Sequence, residues 1–177
     1  MQIRRASKSD AEELADLARR SVLGLSSEFY SDSQIVSASR CITTPDIDLL
    51  EDGTMFVAVS DEGLLGCGAW SKRRKLYTGS EHGEDARGYL DPAVDAARIR
   101  AFFVDPAAVR TGVARALFAA CREDAMNHGF KRFELMATLP GVPLYEKLGF
   151  SALEPASLLL TDGTSLPALN MRLDLSP

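Results

Sequence analysis

The apolar positions of this chain change period several times, and each change marks an element. Met1 to Ala6 alternates and predicts an edge strand. Ser9-x-x-Glu12 then has capping-box spacing, and Leu14, Leu17, Ala18, Val22 and Leu25 recur at threes and fours, predicting a helix that frays near Gly24. Ser31-x-x-Gln34 repeats the capping pattern and opens a short helix to about Arg40, with Pro45 closing the region. Thr54 to Val59 and Leu64 to Trp70 are strand-like runs on either side of Asp61-Glu62-Gly63, a hairpin signal. Ser71 to about Ala96 carries no clear period and is read as the end of a third strand and a loop.

The most informative stretch runs from Arg98 to Gly129. Ile99, Phe102, Phe103 and Val104, within Ala97 to Val104, predict a buried central strand stopped by Asp105-Pro106. Gly112 then stands where a helix begins, and Val113, Leu117, Phe118, Cys121 and Ala125 form one apolar stripe that ends before Gly129. The first turn of such a helix leaves N–H groups unpaired, and a residue without Cβ lets an anion approach them closely. Val109 to Ala114 is therefore a candidate diphosphate cradle. The same strand-turn-helix arrangement also builds ordinary α/β units. Phe133 to Thr138 predicts the next strand, and Ala156 to Thr161 with Ala168 to Leu173 predicts a last hairpin around Thr161-Asp162-Gly163, on the far side of the sheet.

Between those elements stands a second motif, Leu144-Tyr145-Glu146-Lys147-Leu148-Gly149-Phe150, preceded by Pro140-Gly141-Val142-Pro143. With the turn Val109-Arg110-Thr111-Gly112-Val113-Ala114, it resembles the GNAT (Gcn5-related N-acetyltransferase) superfamily. That family has (Gln or Arg)-x-x-Gly-x-(Gly or Ala) at the turn and a later Leu-Tyr-x-x-x-Gly-Phe. The resemblance covers about Ala97 to Phe150 well and the first ninety or so residues only by pattern. Two positions depart from it. Val109 stands at the usual Gln or Arg, and Thr138 at a frequent asparagine.

The resemblance implies an α/β fold in which a mixed sheet of six to seven strands splays between strands 4 and 5, flanked by about four helices. It also implies one domain over residues 1–177 and acetyl-CoA as cosubstrate. The backbones of Phe102, Phe103 and Val104 would face the pantetheine. Val109, Arg110, Thr111, Gly112, Val113, Ala114 and Arg115 would hold the diphosphate, and Thr138 would stand beside the cofactor. Tyr145 would be the general acid that protonates the departing thiolate. The expected reaction is transfer of an acetyl group to a primary amine by direct attack, with a non-catalytic acyl-CoA-binding sensor as the alternative.

Composition narrows this further. The length of 177 residues suits a single core, and the content, 46% hydrophobic and 25% charged, is ordinary for a globular domain. A net charge of −5 speaks against nucleic acid and mildly favours a cationic small molecule. The acceptor is expected to be a small-molecule or peptide amine, and the family resemblance implies that it is chosen by the first two helices and the last hairpin, which here carry Glu28, Tyr30, Asp32 and the 161–167 turn. No apolar run approaches the roughly 20 residues of a membrane span, and Cys41, Cys67 and Cys121 have no Cys-x-x-Cys spacing, so a reduced cytoplasmic protein is expected. Exposed edges at the last hairpin suit a homodimer. Glu28, Asp32, Glu134 and His82 are conceivable bases, with no motif selecting among them. Lys72 to Lys75 reads as a solvated strand end with a minor claim on the adenosine phosphate, and His128 as a charge at a helix C-terminus. Two histidines so placed make no metal site. The chain lacks both Gly-x-x-x-x-Gly-Lys-(Ser or Thr) and Gly-x-Gly-x-x-Gly, which argues against a nucleotide-phosphate-binding protein.

Overall fold

A computed structural model of the chain describes residues 1–75 and 88–175. Strand β1 (Gln2–Arg5) is followed by helices α1 (Ala11–Leu25), α2 (Asp32–Cys41) and α3 (Ile47–Glu51). The hairpin β2 (Met55–Ser60) and β3 (Gly63–Ser71) leads to β4 (Ala97–Val104), α4 (Val113–Asn127) and β5 (Arg132–Thr138). Helix α5 (Val142–Lys147) and the hairpin β6 (Ser151–Leu159) and β7 (Ser165–Asp174) complete the order. The seven strands form one sheet in the order β1-β2-β3-β4-β5-β7-β6, antiparallel throughout except where β4 runs parallel to β5. The expected mixed α/β sheet is present, with β4 spanning the residues its apolar run marks.

Alternation in the strands divides the core into two layers. Phe56, Ala58, Phe133, Leu135 and Ala137 join Val113, Leu117, Phe118 and Cys121 of α4 on one face. Met55, Val57, Cys67 and Ala69 meet Leu14 and Leu17 of α1 and Leu49 and Leu50 of α3 on the other. Val22, Ile35 and Ala38 extend that second layer toward Leu158, Leu160 and Leu166 of the last hairpin.

Several local expectations need correction. The described residues hold five α-helices, in keeping with the expected flanking set of about four, and α3 is a five-residue turn too short to show a period. Its cap is Asp46, whose carboxylate accepts from the Asp48 N–H. The capping box before α1 uses Ser7 and Asp10 instead of Ser9 and Glu12. Arg4 of β1 grips the Asp10 carboxylate at 2.7 and 2.9 Å, and both the N–H and the hydroxyl of Ser7 donate to it. Gly24 is explained by a close approach: a Cβ there would lie 2.5 Å from the ring of Pro106. The last hairpin is longer than its apolar runs suggest, since β6 starts at Ser151 and β7 at Ser165.

The basic run is no solvated strand end either. Arg73 is ion-paired with Asp52 at 2.7 Å and Asp48 at 3.2 Å, and Lys75 is buried 3.2 Å from Asp46. These pairs tie the end of β3 to α3.

On the opposite layer, Asp124 of α4 accepts from the indole N–H of fully buried Trp70 at 2.8 Å and from Arg5 of β1 at 2.7 Å. Burial alone raises the Asp124 carboxyl, but its bonds to Arg5 and Trp70 prevail and hold it below the usual carboxylate range. His128 lies 5.0 Å from the Trp70 ring and bonds through Nδ1 to the Asp124 carbonyl. Asp124→Ala is expected to lower the unfolding free energy by about 1–3 kcal/mol, since it strands a buried indole N–H, while half-exposed Arg5 adds little. Urea denaturation checks this, and Asp124→Asn should recover part of the loss through its amide oxygen. An unchanged midpoint in the alanine variant would mean that water replaces the carboxylate.

Candidate active site

Strands β4 and β5 pair only at Ala97 with Phe133 and Arg98 with Glu134. Beyond Arg98 they part, and between them opens a cavity of about 860 Å³, inside the range of roughly 300–1,000 Å³ common for ligand sites. The divergence has a local cause. Ala101 has φ +53° and the register against β3 shifts there, so Ala101 and Phe102 together face Gly68. This bulge lets Ile99 and Phe102, three residues apart, face the same layer. Ala101 is turned instead toward the α1 layer.

Helix α1 holds the far end of β4 in place. Ser21 Oγ accepts from the Val104 N–H at 3.2 Å, Arg20 pairs with Asp105 at 3.0 Å, and Gly24 receives Pro106. Of the three β4 backbones expected to face a ligand, that of Val104 therefore already spends its N–H on Ser21.

The next turn leaves helix N–H groups unpaired beside open space. Arg110 (φ +62°) and Gly112 (φ +91°) both take left-handed backbone, while Thr111 Oγ1 donates to the Ala108 carbonyl at 2.6 Å. The helical ladder of α4 opens with the Ala116 N–H on the Gly112 carbonyl. The N–H groups of Val113, Ala114 and Arg115 thus have no backbone partner among the described residues. A Cβ on Gly112 would meet nothing within 4 Å, so the space before the helix terminus is open.

All twelve residues expected at the site line this one cavity: Phe102, Phe103, Val104, Val109 to Arg115, Thr138 and Tyr145. Tyr145 lies with its ring edge-on to Phe102 at 6.2 Å and Phe150 at 5.6 Å. Burial holds its phenol well above the ordinary tyrosine value, so the hydroxyl is a proton donor at neutral pH. The conceivable bases are elsewhere. Glu28 and Asp32 are exposed and outside the cavity wall, and Glu134 is ion-paired with Arg98 and Arg172. His82 falls outside the described residues. Cys67 and Cys121 are buried, with the Cys67 thiol pushed up to about 12 by burial, which removes it as a nucleophile.

Sequence reasoning overlooked Arg100, Lys147, Ser21 and Met136, which also line the cavity. Lys147 stands inside the quoted Tyr145 motif and could have been read there. Arg100 precedes the bulge and leaves no local signal. Its guanidinium pairs with the Asp46 carboxylate at 2.6 Å in a recess of about 110 Å³ that adjoins the cavity across Ile42, Ile99 and Met136. Burial alone raises the Asp46 carboxyl, yet the Arg100 and Lys75 charges together hold it below the usual range.

The sequence profile of the Acetyltransferase (GNAT) family matches residues 20–150. The chain belongs to the GNAT acetyltransferase family. Solved structures agree on the GNAT fold. A GCN5-related N-acetyltransferase (Aminotransferase, Class-II) from Rhodopseudomonas palustris superposes with a TM-score of 0.74 at 17% identity, over 98% of this chain and 95% of that one. The paia N-acetyltransferase from Thermoplasma acidophilum, solved with coenzyme A, gives 0.67 at 18% identity over 98% of each chain. The yncA acetyltransferase from Salmonella typhimurium, described as putative and solved with acetyl-CoA, gives 0.64 at 18% identity over 100% and 95%. No curated protein matches the sequence significantly. Among the described residues of this GNAT chain no helix is long and apolar enough to cross a membrane, and no group of three His, Cys, Asp or Glu is placed to hold a metal.

Because Gly112 sits at φ +91°, any side chain there strains the turn before it touches a ligand. Gly112→Ala is expected to cost about 1–2 kcal/mol of stability from the backbone alone, read from denaturant midpoints. No change would show that the turn relaxes out of the left-handed region.

Proposed function

We propose that this GNAT chain is an acetyl-CoA-dependent N-acetyltransferase that moves an acetyl group to a primary amine by direct attack. The observation that carries the reading is that the unpaired N–H groups at the start of α4 and the phenol of Tyr145 share one cavity, opened by the parting of β4 and β5. The residues fit the cosubstrate. An anion cradle with open space before Gly112 suits a diphosphate, and Arg110, Arg115 and Lys147 add positive charge to the same wall. The structural neighbours solved with coenzyme A and acetyl-CoA support the same ligand.

In this mechanism an amine nitrogen that has lost its proton to solvent bonds to the thioester carbonyl carbon as the carbon–sulfur bond breaks, and the nitrogen then gives up a second proton to solvent to leave the neutral amide. Tyr145 gives its proton to the departing thiolate and regains one from solvent. A cysteine relay has no suitable residue, since Cys67 and Cys121 are buried thiols and Cys41 lies outside the cavity wall.

Acetyl-CoA at about a hundred times its dissociation constant should stabilise the fold by roughly 2.7 kcal/mol, and free adenosine much less. A thermal shift series checks this, and equal shifts would sink the diphosphate assignment. In the same series Gly112→Val should lose the acetyl-CoA shift while remaining folded.

Tyr145→Phe keeps the ring against Phe102 and Phe150 and removes only the hydroxyl. Turnover should fall by a factor within roughly 10²–10⁴, nearer the lower bound, because a phenol raised above 10 is poorly matched to a thiol of reference value about 8.5. Acetyl-CoA affinity should hold. The wild-type pH profile should show no loss of activity from Tyr145 ionisation below roughly pH 10, since burial keeps the phenol protonated there. Thiol release on a true acceptor is the measurement, and a variant as fast as the parent would return Tyr145 to a packing role. A sensor domain would give the thermal shift and no thiol release with any amine.

A further inference from the structure

The part of the cavity away from the α4 terminus is walled by α1, α2, β5 and β7. Val22, Leu25, Tyr30, Ile42, Met136 and Leu166 form it. Five of the six are aliphatic or thioether side chains. The hydroxyl of Tyr30 is already spent, donating to the Pro167 carbonyl at 2.7 Å and accepting from the Leu139 N–H at 2.9 Å. The charged side chains in the cavity wall are Arg100, Arg110, Arg115 and Lys147, all cations, and no acid among the described residues joins them. The nearest carboxylate, Asp46, lies in the adjoining recess and is neutralised by Arg100 at 2.6 Å and Lys75 at 3.2 Å.

From this we infer that the acceptor is a small primary amine carried on an apolar, uncharged body, and that polyamines are poor acceptors. The inference rests on the acetyltransferase reading and names its acceptor class. An apolar body fills the compartment by displacing water from aliphatic walls. A second ammonium on the acceptor would lose its hydration against aliphatic walls and find no carboxylate among the described residues of the cavity wall to pair with, which is costly for a buried charge. The same environment disfavours the charged form of the reacting amine and so delivers it unprotonated. The net charge of −5 is thus a property of the outer surface that does not extend into the site.

Phenethylamine and spermidine separate the possibilities. Each is titrated calorimetrically into the whole protein saturated with coenzyme A, and each is assayed for thiol release with acetyl-CoA. Phenethylamine should bind, and should exceed spermidine in kcat/KM by on the order of tenfold or more. Ile42→Asp, checked for folding by its acetyl-CoA thermal shift, places a carboxylate in the compartment and should swing the preference toward spermidine. Binding of phenethylamine over spermidine without thiol release would uphold the compartment's preference while overturning the turnover reading. Spermidine equal to or better than phenethylamine in the parent protein, or no binding of either amine, would overturn the inference.

Discussion

The parting of β4 from β5 is the constraint on which the rest of the site depends. Two parallel strands that begin in register at Ala97 and Arg98 would ordinarily continue to pair, because unpaired backbone groups in an interior are costly. Here the continuation is prevented at two points. The bulge at Ala101 adds a residue to β4 and turns it, and α1 holds the strand's far end through Ser21, Arg20 and the Gly24–Pro106 contact. The Val104 N–H shows how the cost is met, because a serine hydroxyl stands where a β5 carbonyl would have been. Strain at Ala101 and again at Arg110 is tolerated only where the surroundings fix the backbone, and both residues lie in the cavity wall.

Charge is distributed to match. The chain as a whole is acidic, yet the cavity wall presents Arg100, Arg110, Arg115 and Lys147. Acidic residues near the site are consumed in pairs: Asp105 with Arg20, Asp46 with Arg100 and Lys75, Glu134 with Arg98 and Arg172. A polyanionic ligand therefore meets a positive wall with no opposing carboxylate among the described residues, and the field of the outer surface is a poor guide to it.

The elements that were legible in the sequence are those whose signal is local. β4 and α4 show their periods without interruption, and the turn at Gly112 is announced by its glycine. Tyr145 was found through its motif. What escaped depends on residues far apart in the chain. The α3 turn is too short for a period and is held by Arg73 and by its Asp46 cap. Arg4 moves the capping box from Ser9 to Ser7 by fixing Asp10, an effect that no spacing rule contains. Gly24 looks like a fraying signal until Pro106, 82 residues on, is seen against it. Arg100 is invisible for the same reason, since its partner Asp46 is 54 residues away. Only the bulge left a trace, in the spacing of three between Ile99 and Phe102 inside an otherwise period-two strand.

Burial then determines what Tyr145 can do as well as where it sits. Its ring belongs to the same layer as Phe118, Phe133 and Phe150, so the position of the hydroxyl is set by core packing, independent of any ligand. The packing that fixes the ring also desolvates the phenol and keeps it protonated at neutral pH. A donor held this way keeps its proton at neutral pH, but it is a weak acid. In the proposed reaction it would therefore help only as negative charge develops on the departing sulfur, and only modestly, since a thiol of reference value about 8.5 is the stronger acid. On that proposed mechanism the core would favour the transition state over the bound ground state by packing alone.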